Sequence, residues 1–232
     1  MIDFHSHILF DMDDGAETVE ESISILKSMR DMGFETVALT PHFECDKNVN
    51  DFLERREQKA KLLLDELEKH EVSIRLLLGA EVYVNDDINF ACDINRLTIG
   101  DSNVLLAEFQ YRNLAPQKLI GYIEMLLKFN VRVMIAHPER YLYFRKDQVL
   151  VQKLYDMGAM FQINACSYVS EDERERASAH FFVENGYATV VGSDIHTARS
   201  VRANFKAHLR GMDRRDFVFL TQTSPQSIID NK

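Results

Sequence analysis

Short apolar or β-branched runs alternate with stretches of helical periodicity for almost the whole length of the chain. The runs at 2–4, 36–39, 74–78, 104–108, 131–136, 160–163 and 188–191 are predicted strands. The first predicted helix opens at Thr18, where Glu21 three residues on completes a capping-box pattern, and stops at Gly33. A charge-laced helix is predicted over 51–70. Another begins near Pro116, a favoured first-turn residue, with Leu119, Ile123, Leu126 and Leu127 on one stripe. Further helices are predicted over 148–157, 173–185, 199–209 and 213–221. Strand followed by helix, repeated along the chain, implies a mostly parallel sheet with right-handed crossovers. The even spacing of the units suits a closed (β/α) barrel better than an open sheet. No Pro/Gly/Ser-rich linker divides the chain, so one domain is expected over residues 1–232.

Composition narrows the setting. Hydrophobic residues make up 46% and charged residues 28%, enough for both a sizeable core and a well-solvated surface. No apolar run approaches the roughly 18 residues of a membrane span, and the opening residues lack the features of a signal peptide. Three cysteines (Cys45, Cys92, Cys166) form an odd set without a CxxC pair, which fits a reducing cytoplasm. A cytoplasmic protein without membrane insertion is therefore expected. The net charge of -10 disfavours nucleic acid as a partner. Carboxylates that bind metal ions count in that total as bare negatives.

The candidate chemistry lies at strand ends. Of eight histidines, five sit just past the carboxyl end of a predicted strand: His5 and His7, His42, His137 and His196. Asp14, Glu81, Glu108 and Asp194 occupy the same kind of position. In a parallel barrel these ends share one rim, where active sites are built. Residues i and i+2 of an extended segment point to the same side, so His5 and His7 can grip one ion; Asp194 and His196 share that spacing. A lone histidine after a strand is ordinarily a surface or satisfied core residue. Five of them with four carboxylates, all at strand ends, point instead to a metal centre. Nine potential ligands exceed one tetrahedral site and imply two or three ions. Imidazole suits zinc, iron and manganese, and the added carboxylates favour the harder manganese. His70, His180 and His208 fall within helical segments and read as surface or core residues. Arg140, three residues past His137, has the geometry to grip a phosphate near the rim. Arg199 and Arg202 compete for a second such role. Neither a CX5R thiolate loop nor a glycine-rich nucleotide cradle is present.

The opening Met1-Ile2-Asp3-Phe4-His5-Ser6-His7, the segment Phe10-Asp11-Met12-Asp13-Asp14-Gly15 and the run His137-Pro138-Glu139-Arg140-Tyr141 resemble the polymerase-and-histidinol-phosphatase (PHP) family. Within it they resemble the bacterial manganese-dependent tyrosine-protein phosphatases of capsule and exopolysaccharide synthesis. The resemblance runs from Ile2 to about Asn204. It implies a distorted (β/α)7 TIM-like barrel carrying three divalent metal ions, manganese first, with iron or zinc as alternatives. By motif, one ion takes His5, His7, Glu81 and Asp194. A second shares Glu81 and adds Glu108 and His137, and a third takes Asp14, His42 and His196. The carboxylates Asp14 and Glu108 stand where many other PHP members have histidine, as in the tyrosine-phosphatase branch. The implied substrate is a phosphotyrosine protein, a bacterial tyrosine kinase; homo-oligomerisation is left open.

Charge arithmetic points the same way. Three divalent ions, four carboxylates and a bridging hydroxide leave a net of about +1, to which Arg140 adds another, suited to a phosphomonoester dianion. The expected reaction is in-line attack by that hydroxide on phosphorus. The competing readings are a histidinol-phosphate or other small-molecule phosphatase, an amidohydrolase, a PHP nuclease, and a non-catalytic metal-stabilised binding module. Glu108 stands where an amidohydrolase wants a bridging lysine, and the acidic balance opposes a nuclease. Turnover separates the binding module from an enzyme.

Overall fold

The computed structural model describes residues 1–86, 88, 93–201 and 211–231. Its strands are β1 (Ile2–Asp3), β2 (Thr36–Leu39), β3 (His42–Glu44), β4 (Arg75–Leu78), β5 (Glu81–Tyr83), β6 (Val104–Glu108), β7 (Arg132–Ala136), β8 (Met160–Asn164) and β9 (Val190–Gly192). The helices are α1 (Val19–Asp31), α2 (Val49–Lys69), α3 (Pro116–Leu127), α4 (Leu142–Lys146), α5 (Gln148–Asp156), α6 (Glu173–Glu184), α7 (Arg214–Val218) and α8 (Ser224–Ile229).

Each predicted strand is present, and β3 and β5 are additions. They are continuations rather than new elements. Leu39 lies opposite Leu78 and His42 opposite Glu81, so the register carries straight across the interruption. At the break the Thr40 amide turns to the Ser6 carbonyl (2.9 Å), and Pro41 has no amide hydrogen to offer a ladder. The lower half of this ribbon belongs to the sheet β1-β2-β4 and the upper half to β3-β5-β6-β7-β8-β9. All pairings are parallel. No continuous ladder closes the ring between β9 and β1. The gap is spanned by the parallel bridge Ser6–Ile195, with Asp194 N donating to His5 O and His7 N to Ile195 O, each at 2.9 Å. The result is a distorted seven-unit barrel, as expected.

Alternate strand positions fill the barrel. Ile2, Phe4, Ala38, Leu77, Val104, Leu106, Met134, Ala136 and Val190 form one buried cluster, plugged at the amino-terminal end by Ile228 of α8. The opposite faces of the strands pack under the surrounding helices. With one end of the barrel filled by hydrocarbon, only the carboxyl-end rim is left for polar groups.

Two local expectations are corrected. The Thr18 hydroxyl caps α1 by accepting from Glu21 N (3.2 Å), but the Glu21 carboxylate does not return to Thr18. It accepts from Glu17 N (3.3 Å) and Ala198 N (3.1 Å), tying the helix start to the loop after His196. The helix predicted over 213–221 runs on through a widened turn at Phe219–Thr223 into α8. The helix predicted over 199–209 lies largely outside the described residues, as do Cys92, Arg202 and His208. No helix of the described residues is long and apolar enough to cross a membrane.

Candidate metal centre

The rim residues leave their strands in conformations that aim them inward. His5 and His7 flank Ser6, whose place in the bridge to Ile195 holds that stretch extended, and their Nε2 atoms lie 3.1 Å apart. His137 follows β7 and Asp194 follows β9, both with positive φ (32° and 51°) that non-glycine residues seldom adopt. Such strain persists only where the surroundings over-determine it, and it concentrates at functional sites. Because of the turn at Asp194, the Asp194/His196 pair is not an extended i, i+2 grip like His5/His7. Asp194 Oδ1 faces His5 and His7 at 3.6 and 3.5 Å, whereas His196 Nε2 faces Asp14 at 3.5 Å.

Glu81 is the hub. Its Oε2 lies 3.2 Å from His5 Nε2, 3.2 Å from His7 Nε2 and 3.1 Å from His42 Nδ1, and its Oε1 lies 2.9 Å from His137 Nε2. His137 Nε2 is 3.7 Å from Glu108, and His42 Nε2 is 3.6 Å from Asp14. All nine expected ligands thus join in one contiguous cluster. Three overlapping groups have donor atoms close enough to share an ion: His5, His7 and Glu81; His42, Glu81 and Glu108; and His7, Asp14, His42 and His196. His7 and His42 therefore stand between groups that the motif assignment keeps apart. A 190 Å³ cavity at this point is lined by Asp14, His42, Glu81, Glu108, Tyr111, His137, Arg140, Asp194 and His196. A 440 Å³ cleft shares Asp14, His42 and Glu108 and adds Met12, Glu44, Lys47 and Tyr83.

Buried and half-buried polar groups surround these ligands. Asp13 Oδ2 meets His7 Nδ1 at 2.7 Å and accepts from His42 N at 2.8 Å. Gln162 Oε1 meets His5 Nδ1 at 2.7 Å, and Asn164 Nδ2 donates to Asp194 Oδ2 at 2.6 Å. The Tyr111 hydroxyl donates to Glu108 Oε1 at 2.7 Å. Asp3 is buried and accepts from Ser193 N (2.9 Å) and Ser193 Oγ (2.6 Å), pinning β1 to the loop after β9. None of Asp3, Asp13, Tyr111, Gln162 and Asn164 was singled out from the sequence. The available signal was polar residues at alternate positions of an otherwise apolar run, Gln162 and Asn164 between Phe161 and Ile163.

The electrostatics have the form of a site built for cations. Burial opposes the charge of His5, but Glu81 and Asp194 outweigh it and raise the imidazole to about 9. Burial likewise opposes charge on His7, but Asp13 and Glu81 carry it well above the usual range. Burial works against the Glu81 carboxylate too, yet the surrounding histidines hold it well below its ordinary value. Asp13 falls to about 2, because His7 outweighs its burial. Burial, then His7, pushes His196 down. The carboxylates demand positive charge that, in the protein alone, imidazolium protons and Arg140 supply. Glu81 Oε2 is buried with no hydrogen-bond donor, amid three imidazole nitrogens at 3.1–3.2 Å. That environment fits divalent cations, which oxygen and imidazole ligands would share in place of protons.

Arg140 is half-exposed at the rim, with Nη1 3.4 Å from Asp194 Oδ2 and its guanidinium 5.1 Å from the Tyr111 ring centre. Arg199 is exposed and does not line the cavity, and Arg202 lies outside the described residues. Cys45 is buried and its thiol donates to Tyr83 O at 3.3 Å. His180 stacks on Tyr168 and His70 caps the end of α2, as expected of residues away from the site.

A distorted parallel barrel with histidines and carboxylates gathered at its carboxyl rim defines a metal-dependent hydrolase of the PHP type. A family model described as capsular polysaccharide synthesis, CpsB/CapC, matches residues 1–216, and the chain belongs to that family. The tyrosine-protein phosphatase CpsB of Streptococcus pneumoniae is 32% identical over 214 residues, covering 86% of this chain and 84% of its own. That of Streptococcus agalactiae is 27% identical over 229 residues, covering 94% and 91%. In three dimensions the chain resembles a solved structure from work on YwqE of Bacillus subtilis and CpsB of Streptococcus pneumoniae, described as unique metal-dependent tyrosine phosphatases. The TM-score is 0.82 at 24% identity, over 100% of this chain and 95% of that one.

Proposed function

We propose that the chain, as one catalytic unit, is a metal-dependent protein-tyrosine phosphatase that acts on a bacterial tyrosine kinase of capsule or exopolysaccharide synthesis in the cytoplasm. The observation that carries this reading is the contiguous nine-residue cluster with Arg140 at its mouth, in a chain of the CpsB/CapC family. Three divalent ions, manganese first, would be held by His5, His7, Glu81 and Asp194; by Glu81, Glu108 and His137; and by Asp14, His42 and His196. The overlap of the groups at His7 and His42 supports a shared rather than a divided centre. Bound, such ions supply Lewis acidity, making hydroxide available near neutral pH and absorbing charge as phosphorus is attacked.

The protein's own groups do the rest. Arg140 offers two parallel N–H donors to the phosphate oxygens, and Asp194 and the Tyr111 ring hold its guanidinium at the rim. Tyr111 also orients the Glu108 carboxylate. Asp13 holds the Nδ1 proton of His7 and so leaves Nε2 free to ligate. The small cavity takes the phosphoryl group, and the adjoining cleft walled by Met12 and Tyr83 takes the phenol ring and flanking peptide. A phenol leaves as an anion with pKa about 10, so no strong general acid is required.

The test is turnover of metal-stripped protein reconstituted with Mn2+, Fe2+ or Zn2+, on phosphotyrosine peptides against histidinol phosphate. The expected result is a specificity constant that favours phosphotyrosine. Equal or higher selectivity for histidinol phosphate would make this a small-molecule phosphatase, and no turnover with any metal would make it a binding module.

A further inference from the structure

Gln162 and Asn164 occupy alternate positions of β8 and point into the barrel, where both are almost fully buried (0% and 2% exposed). An amide can sit either way round, so its direction has to be read from an unambiguous neighbour. Here that neighbour is the backbone N–H of His137, which can only donate and which faces Gln162 Oε1 at 3.3 Å. The opposite orientation would set two donors against each other in a buried site. The acceptor end of Gln162 is therefore fixed, and His5 Nδ1, 2.7 Å from the same oxygen, has to carry its hydrogen. The lone pair of His5 is then at Nε2, the atom that faces Glu81, Asp194 and His7.

The other end follows by the same logic. Gln162 Nε2 is a donor, so the Asn164 atom 2.9 Å away is its carbonyl oxygen. The remaining Asn164 nitrogen donates to Asp194 Oδ2 at 2.6 Å, which leaves Asp194 Oδ1 turned toward His5, His7 and His196. Asn164 is itself held by its backbone N–H, which donates to the buried Glu139 Oε1 at 2.9 Å. Packing permits no slack. A Cβ at Gly192 would lie 2.7 Å from Gln162 Nε2 and 2.8 Å from His5 Cβ, so the neighbouring strand has been cut back to let the amide touch the histidine.

We propose that Gln162 and Asn164 are positioning residues. They form a directed chain of hydrogen bonds, started by the His137 amide, that selects the Nε2-ligating form of His5 and turns one carboxylate oxygen of Asp194 toward the metal centre. His7 receives its orientation from a carboxylate, Asp13, whereas His5 receives it from a neutral amide. Using an amide fixes a ligand without adding negative charge to a site that already gathers Glu81, Glu108, Asp194 and Asp14. The inference rests on reading the cluster as a metal centre and is independent of the substrate.

The experiment compares wild type with Gln162→Met, Asn164→Leu, the double variant and Gln162→Glu. Mn2+ affinity is measured on the folded proteins by competition with a chromophoric chelator, and the melting temperature is measured on the same proteins stripped of metal. Partners of this kind are typically worth about 10–100-fold in metal affinity, and Gln162→Met is expected to lose that much. The double variant loses no more than Gln162→Met alone, because the chain is already cut at its first member. Gln162→Glu keeps size and both acceptor contacts and sets a carboxylate behind His5, so it is expected to retain more Mn2+ affinity than Gln162→Met, which leaves His5 Nδ1 without a partner. A purely structural role would lower the metal-free melting temperature while leaving Mn2+ affinity within twofold of wild type. That outcome, or single losses that simply add, overturns the proposal. Absence of Mn2+ binding by wild type would overturn the metal-centre reading instead.

Discussion

At the residue scale the centre depends on what stands behind each ligand. His7 lies between Asp13 at Nδ1 and Glu81 at Nε2, so one carboxylate orients the ring and, on the proposed reading, the other would share its ion. Replacing His5 or His137 with alanine removes a nitrogen from the Glu81 hub. Either change is expected to abolish chelator-sensitive hydrolysis of p-nitrophenyl phosphate, and retention of wild-type rates would separate the cluster from the chemistry. In the proposed mechanism Arg140 acts on the phosphate rather than on the ions. Arg140→Ala is expected to lower kcat/KM by about 10²–10³ while Mn2+ affinity stays near wild type. Arg140→Lys recovers only part of the loss, since an ammonium cannot make the two parallel bonds of a guanidinium. Gly15 shows how tightly the first loop is wound. A Cβ there would lie 2.0 Å from the His7 carbonyl oxygen, and Ala16 N donates to that same oxygen. Gly15→Ala forces backbone rather than a flexible side chain to move. It is expected to cost about 1–3 kcal/mol by denaturant unfolding and to displace Asp13 and Asp14 together.

At the element scale, strand ends and helix starts do different work. The Asp172 carboxylate caps α6, accepting from Arg174 N and Glu175 N at 2.8 and 3.4 Å, and these bonds hold its carboxyl below the usual range. A folded-state value below the unfolded one means that the stabilisation is present above about pH 4 and is lost as pH falls through the folded value. Asp172→Asn keeps the capping oxygen without the charge. The gap in melting temperature between the two proteins, in favour of wild type at pH 7, is therefore expected to close as the pH is lowered toward 3. A gap that stays constant would show that charge contributes nothing to the cap. At the other end of the barrel, Ile228 of α8 plugs the amino-terminal mouth and is 4% exposed. Ile228→Ala is expected to cost about 2–5 kcal/mol of stability with Mn2+ affinity unchanged, because the cavity opens at the end away from the rim.

At the scale of the whole molecule, the barrel brings together carboxylates and imidazoles whose charge, in the protein alone, is balanced by imidazolium protons and Arg140. Removing divalent ions with a chelator is expected to lower the melting temperature as well as the activity, and Mn2+ should restore both. A ligand at 100 times its dissociation constant contributes about 2.7 kcal/mol to the folded state. An unchanged melting temperature on stripping would mean that the folded state holds no ions at this rim.

The strands, most of the helices and the nine rim residues were legible in the linear pattern, because periodicity, caps and strand-end position are local properties. His5-Ser6-His7 and Gly79-Ala80-Glu81 announce themselves by what they follow. The tertiary structure alone decided that one predicted strand pair splits between two sheets, that Glu21 reaches Ala198 rather than closing its own cap, and that the chain turns at Asp194 so that His196 Nε2 faces Asp14. It also decided that Gln162, Asn164, Asp3 and Asp13 stand behind the ligands. The reason is physical. A residue's tendency to end a strand or bind a cation is intrinsic to its side chain and near neighbours. Which hydrogen-bond partner a buried polar atom finds depends on chain segments as far apart as Asp3 and Ser193, and is determined only when the barrel closes.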